Sequence, residues 1–160
     1  MPSTEGASTV IVSREIAASA DTLWALISDL ARMGEWSTEN TGGTWQKGAT
    51  GAAVGARFKG TNRNGKKTWS TTATVTTCQP GRELAFDVSV GPIAVAHWQY
   101  VIEPLGPSAS RVTESTTDRR ARWLLRFSKN TSGVVDRPAA NRASMEHTLE
   151  RLEVTATAAG

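Results

Sequence analysis

Apolar and polar residues alternate from Thr9 to Ile16, with Val10, Val12 and Ile16 on one side, the period of a half-buried strand. The period then changes. Ser19 is placed to cap a helix, Asp21 falls in its first turn, and Leu23, Trp24, Ile27 and Leu30 recur at helical spacing. A second short helix is predicted over Ala31–Trp36, limited by Gly34 and the polar stretch from Ser37 to Asn40.

Beyond Gly42 the chain turns strand-like, with frequent glycines and β-branched residues. Thr44–Gln46 reads as a short strand. Ala56–Arg63 and Lys67–Thr77 read as a hairpin turning at Asn64-Gly65. After Pro80-Gly81, three further strands are predicted at Arg82–Val90, Val95–Glu103 and Ser110–Asp118. Residues 119–137 read as irregular or weakly helical. Pro138 opens a long final helix to about Ala158, with Met145, Leu149, Leu152 and Ala156 as its buried stripe. Strands joined by tight turns imply a meandering antiparallel sheet, and the final helix is the only long element able to cover its apolar face. The expected class is α+β. Residues 1–7 are expected to be a flexible tail and 8–160 a single domain, since no repeat or linker divides the chain.

Composition sharpens this picture at one point. Among 160 residues there are six tryptophans, against three phenylalanines and one tyrosine. Large rings on one face of a curved sheet either fill the core or line a cavity for an apolar ligand. The net charge of +3 gives little reason to expect a nucleic-acid partner. Cys78 is alone, so neither a disulfide framework nor a cysteine metal cluster is expected. His97 and His147 lie far apart without a metal-binding spacing, and no metal or other cofactor is expected. The glycines at 48, 51 and 55 do not form a phosphate loop, and no Gly-x-Ser-x-Gly elbow is present. With no signal-peptide pattern and no membrane-length apolar run, the expected location is cytoplasmic.

In its order of elements the chain resembles the START/Bet v 1-like superfamily, and within it the bacterial polyketide cyclase/dehydrase and lipid-transport group. The likeness is carried by Ala18-Ser19-Ala20-Asp21-Thr22-Leu23-Trp24 with Ser28-Asp29, then Met33 and Trp36-Ser37. It continues through Gly55–Arg63 into Trp69, then Pro80-Gly81-Arg82, Trp98-Gln99-Tyr100, Val112–Ser115 and Thr148–Leu152. The resemblance implies a helix-grip fold: a curved antiparallel sheet of about seven strands wrapped around the long C-terminal helix, with two short helices after the first strand. It implies a ligand cavity and leaves the reaction open, since such proteins include cyclases, lipid carriers and receptors.

Strand alternation predicts which side chains face that cavity. The inward sets are Phe58, Gly60 and Asn62; Trp69, Thr71, Ala73 and Val75; Leu84, Phe86 and Val88; Trp98, Tyr100 and Ile102; and Val112, Glu114 and Thr116. Candidate ligand contacts are Trp36, Trp45, Phe58, Asn62, Trp69 and Thr71. To these are added Phe86, Trp98, Tyr100 and Glu114 from the sheet, with Met145 and Leu149 as the helical wall. Glu114 and Tyr100 are the catalytic candidates. A carboxylate on an apolar face either holds a structural bond or carries a raised pKa suited to proton transfer. In residues 119–129, Arg119, Arg122 and Arg126 share one helical face, and Trp123, Leu124 and Phe127 another. That segment suits a solvated edge first, then a lid or homodimer contact, and least a membrane surface. Three functions follow: binding of an apolar small molecule such as a lipid, polyketide or other aromatic compound; a cyclase, aromatase or dehydratase using the same cavity; or a dimeric or partner-binding protein with a collapsed pocket.

Overall fold

The computed structural model describes residues 9–120 and 137–158. Its elements run β1 (Thr9–Ile16), α1 (Ala20–Ile27), a 3-10 helix (Leu30–Glu35), β2 (Asn40–Trp45), β3 (Arg57–Asn64), β4 (Lys67–Gln79), β5 (Glu83–Val90), β6 (Ile93–Gly106), β7 (Ala109–Asp118) and α2 (Arg137–Ala158). The seven strands form one antiparallel sheet in the order β1-β7-β6-β5-β4-β3-β2. From β2 to β7 this is a meander; only β1 leaves chain order, pairing with β7.

Local chemistry explains the element boundaries. The Ser19 hydroxyl oxygen accepts from the Thr22 backbone N–H at 3.1 Å and starts α1. The buried face of α1 is Leu23, Leu26 and Ile27, so Leu26 takes the place expected of Trp24, which is half-buried. Three hairpins turn in two residues each, and two of them carry a glycine at the corner. Asn64 pairs with Lys67 and Val90 with Ile93, which leaves Gly65-Lys66 and Gly91-Pro92 at the corners. Gly65 and Gly91 have φ of +62° and +55°, while Lys66 is not on the positive side. A glycine at the first corner position is the pattern of a type II′ turn, so the β3–β4 turn sits one residue later than Asn64-Gly65.

Two strands are longer than their sequence signal. β2 begins at Asn40 and runs through two poor strand formers, Gly42, whose φ is +117°, and Gly43, which is required by close approach. A Cβ on Gly43 would lie 2.1 Å from the Lys59 carbonyl oxygen. β6 runs on past Glu103 to Gly106 through an irregularity at Pro104/Gly106, which accommodates the missing proline N–H.

Helix α2 lies along the β1 and β7 side of the sheet. Met145, Leu149, Leu152 and Ala156 are fully buried in one core with Val10, Val12 and Ile16 of β1 and Leu23 and Ile27 of α1. This is the stripe expected from spacing. The core therefore sits at one end of the space between helix and sheet, and the other end stays open.

Candidate functional site

The inward faces of β3 to β7 and the first turns of α2 enclose a cavity of about 370 Å³. Its volume is in the range of small-molecule sites, about 300–1,000 Å³. Phe58, Trp69, Phe86, Trp98 and Tyr100 supply the aromatic wall. Phe86 and Trp98 are cross-strand partners on β5 and β6, which keeps their rings side by side. Asn62 and Thr71 line the β3–β4 side, with the Asn62 amide donating to the Thr71 hydroxyl at 3.1 Å.

The closed end is polar, and β7 builds it. Residues of β7 alternate between half-buried and buried, and the buried positions are Ser110, Val112, Glu114 and Thr116. Ser110 donates to the Ala18 carbonyl at 3.0 Å and is used up structurally. Glu114 is only 2% exposed. Its cross-strand partner is Tyr100, whose hydroxyl donates to Glu114 Oε1 at 2.8 Å. Glu114 Oε2 and Thr116 Oγ1 are buried with no hydrogen-bond partner. Burial pushes the Glu114 carboxyl up from 4.5 to about 8, with the Tyr100 bond drawing it partly back. Burial, and then the adjacent Glu114, push the Tyr100 phenol well above its ordinary range. Burial thus favours the neutral carboxyl beside a neutral phenol, with Oε1 accepting from Tyr100 and Oε2 without a partner among the described residues.

Of the expected contacts, Phe58, Asn62, Trp69, Thr71, Phe86, Trp98, Tyr100 and Glu114 line this cavity together. Four do not. Trp36 is buried in the core, with the Arg32 guanidinium 5.7 Å from its ring centre. Trp45 is the cross-strand partner of Phe58 and shares its face of the sheet, but it packs edge-on against that ring at 5.2 Å, beside the cavity lining rather than in it. Met145 and Leu149 point into the core between α2 and β1 rather than into the cavity. The helical wall is instead polar, made by Asn141, Ser144 and Thr148, at i, i+3 and i+7 beside the apolar stripe. The Thr148 hydroxyl donates to the Ser144 carbonyl at 2.9 Å, so part of that polarity is spent within the helix.

Several further lining residues were not among the expected contacts. Leu30 and Met33 of the 3-10 helix face the cavity, as do Val90 and Ile93 at the β5–β6 turn, the latter pair 44% and 40% exposed. Asp118 and Arg120 close one side as an ion pair, Arg120 Nη2 lying 2.5 Å from Asp118 Oδ2. Asp118 Oδ1 also accepts from the Arg120 backbone N–H at 3.0 Å, a tight turn at the end of β7. Within 119–129, only Arg119 and Arg120 belong to the described residues; the expected arginine and apolar faces, with Arg122, Trp123, Leu124, Arg126 and Phe127, lie outside them. His97 faces away from the cavity and pairs with Asp87 at 2.6 Å. Among the described residues no group of histidine, cysteine or carboxylate side chains is arranged to hold a metal ion. No helix among them is long and apolar enough to cross a membrane.

A sequence profile described as polyketide cyclase/dehydrase and lipid transport matches residues 8–157. The chain belongs to this family. Solved structures show the same fold. A Polyketide_cyc-like protein from Corynebacterium glutamicum is 28% identical, with a TM-score of 0.60 over 97% of this chain and 90% of that one. A START superfamily protein from Mycobacterium smegmatis is 15% identical, with a TM-score of 0.70 over 95% and 99%. A major latex-like protein from Panax ginseng is 12% identical, with a TM-score of 0.69 over 93% and 97%. The curated proteins contain no sequence match. The helix-grip architecture expected of a START/Bet v 1-like chain is thus the architecture found.

Proposed function

We propose that this family member binds an apolar small molecule, such as a lipid, polyketide or other aromatic compound, between the sheet and α2. The observation that carries the reading is the unfilled space itself: about 370 Å³ walled by Phe58, Trp69, Phe86 and Trp98. Rings in a structural core pack to near-crystalline density, and these do not close the gap. A collapsed-pocket interaction protein would have that space filled.

The test is native mass spectrometry of the purified protein, followed by organic extraction of whatever it retains. A co-purifying lipid or aromatic compound near one per chain supports the reading. A bare chain that neither gains mass nor changes tryptophan emission with a panel of lipids and aromatic polyketides refutes it.

A second reading, a cyclase, aromatase or dehydratase in the same cavity, is favoured by the Glu114–Tyr100 pair. A carboxyl near pH 8 in a dry pocket is suited to give and take a proton at neutral pH. Holding a flexible substrate folded against the ring wall would supply further acceleration. Glu114→Gln separates the two: a carrier keeps its ligand with a modest change in affinity, and an enzyme loses turnover.

A further inference from the structure

Two buried polar atoms at the closed end of the cavity are unexplained by the fold. Glu114 Oε2 and Thr116 Oγ1 project from alternate positions on one face of β7, and neither meets a protein partner. Buried polar side chains in folded proteins nearly always find a hydrogen bond, because leaving one unmade costs its full desolvation. Elsewhere on the same strand face the rule is kept, with Ser110 bonded to the Ala18 carbonyl. Glu114 Oε1 is likewise satisfied by Tyr100.

Resting on the cavity-binding reading above, we propose that this end recognises an uncharged oxygen of the ligand, a carbonyl or hydroxyl, through Glu114 Oε2 and Thr116 Oγ1. The ligand then lies with that oxygen inward and its hydrocarbon along Trp69, Phe86 and Trp98. Since Oε1 accepts from the tyrosine, the acid proton sits on Oε2 and calls for an acceptor. The Thr116 hydroxyl gives or takes a second bond at the same end. Among the described residues an anionic group would meet a carboxyl and no free cation there; the lining cation, Arg120, is held by Asp118. An ammonium would have to ionise Glu114 and be stripped of water in the same step, which a dry pocket penalises. Among the described residues, the remaining charged group lining the cavity is Glu39, just before β2 at the far edge of the sheet from β1 and β7.

Matched probes on one skeleton test this: methyl naphthyl ketone, ethylnaphthalene, naphthoate and naphthylmethylamine, titrated calorimetrically at neutral pH. The ketone is expected to bind about 10-fold more tightly than the hydrocarbon, the gain of one satisfied buried donor. Naphthoate and the amine are expected to bind more weakly than either. Glu114→Gln should keep the ketone preference, since its amide accepts from Tyr100 and still donates. Glu114→Leu should abolish it. Thr116→Val, nearly the same shape and therefore safe for folding, should reduce it several-fold. Equal binding of ketone and hydrocarbon to the unaltered protein overturns the proposal while leaving cavity binding intact. So does tightest binding of the amine lost in Glu114→Gln, which would mean an ionised Glu114, or a ketone preference untouched by both Thr116→Val and Glu114→Leu. If none of the four probes binds, the cavity reading falls and this inference with it.

Discussion

Glu114 concentrates the chemistry of this molecule in one side chain. Its folded carboxyl titrates near pH 8, against 4.5 ordinarily, so the folded state holds a proton that the unfolded chain releases across that interval. The contribution to stability is complete below about pH 4.5 and declines as pH rises towards 8, at about 1.4 kcal/mol per pH unit at most. Glu114→Gln is neutral at every pH and lacks this slope. The melting temperature of the unaltered protein is therefore expected to fall relative to the variant between about pH 5 and about pH 9, measured by thermal denaturation in matched buffers. A parallel pair of curves would show that Glu114 is not the group held neutral. Tyr100→Phe removes the one bond to the carboxyl found among the described residues and should cost about 1–3 kcal/mol in denaturant unfolding. The position of Glu114 was legible in sequence, because Val112, Glu114 and Thr116 alternate with polar residues on a strand bounded by clear turns. Its lack of a second partner was not legible, since that depends on what β1, β6 and α2 bring to the same place. Trp36 and Trp45 show the opposite limit: a tryptophan near a cavity looks alike in sequence whether its ring reaches the space or packs beside it.

At the scale of elements, α2 does two separate things with two neighbouring stripes. Met145, Leu149, Leu152 and Ala156 anchor it to β1 and α1, while Asn141, Ser144 and Thr148 face the cavity. The two functions should separate by mutation. Leu152→Ala is expected to destabilise the fold by about 2–5 kcal/mol, read in denaturant unfolding, with probe affinity unchanged wherever the protein remains folded. Thr148→Val should leave stability nearly unchanged, because its hydroxyl bonds only within the helix, and should alter probe affinity. Periodicity exposed the first stripe, since apolar residues at helical spacing have few other uses. It hid the second, since small polar residues on a helix ordinarily face water. The strands divide in the same way. Lys67 and its neighbours announce a hairpin through a glycine turn, whereas β2 is masked by Gly42 and Gly43, the first serving a positive φ and the second a tight backbone approach that only the folded sheet reveals.

At the scale of the whole molecule, core and cavity occupy different parts of one interlayer space. The core is the junction of α1, β1, β7 and α2; the cavity belongs mainly to β3 through β7 with the first turns of α2. A ligand that binds only the folded state raises the melting point by mass action, by about 2.7 kcal/mol of stability at one hundred times its dissociation constant. A saturating ketone probe should therefore raise the melting temperature of the unaltered protein more than that of Thr116→Val at equal concentration.

The placement of β1 has a consequence in time. From β3 to β7 every neighbour in the meander is joined by a turn of two or three residues, but Thr9 sits opposite Thr117 and Ser13 opposite Thr113. During synthesis the first strand must wait for about a hundred residues to follow it before its partner exists, and loop closure over that span is slow compared with hairpin formation. The meander can assemble while β1 waits, so the β1–β7–α2 junction closes last. Val12→Ala, at that junction, should then speed unfolding far more than it slows refolding in stopped-flow measurements, whereas Val75→Ala in β4 should slow refolding. The strand made first is the strand folded last.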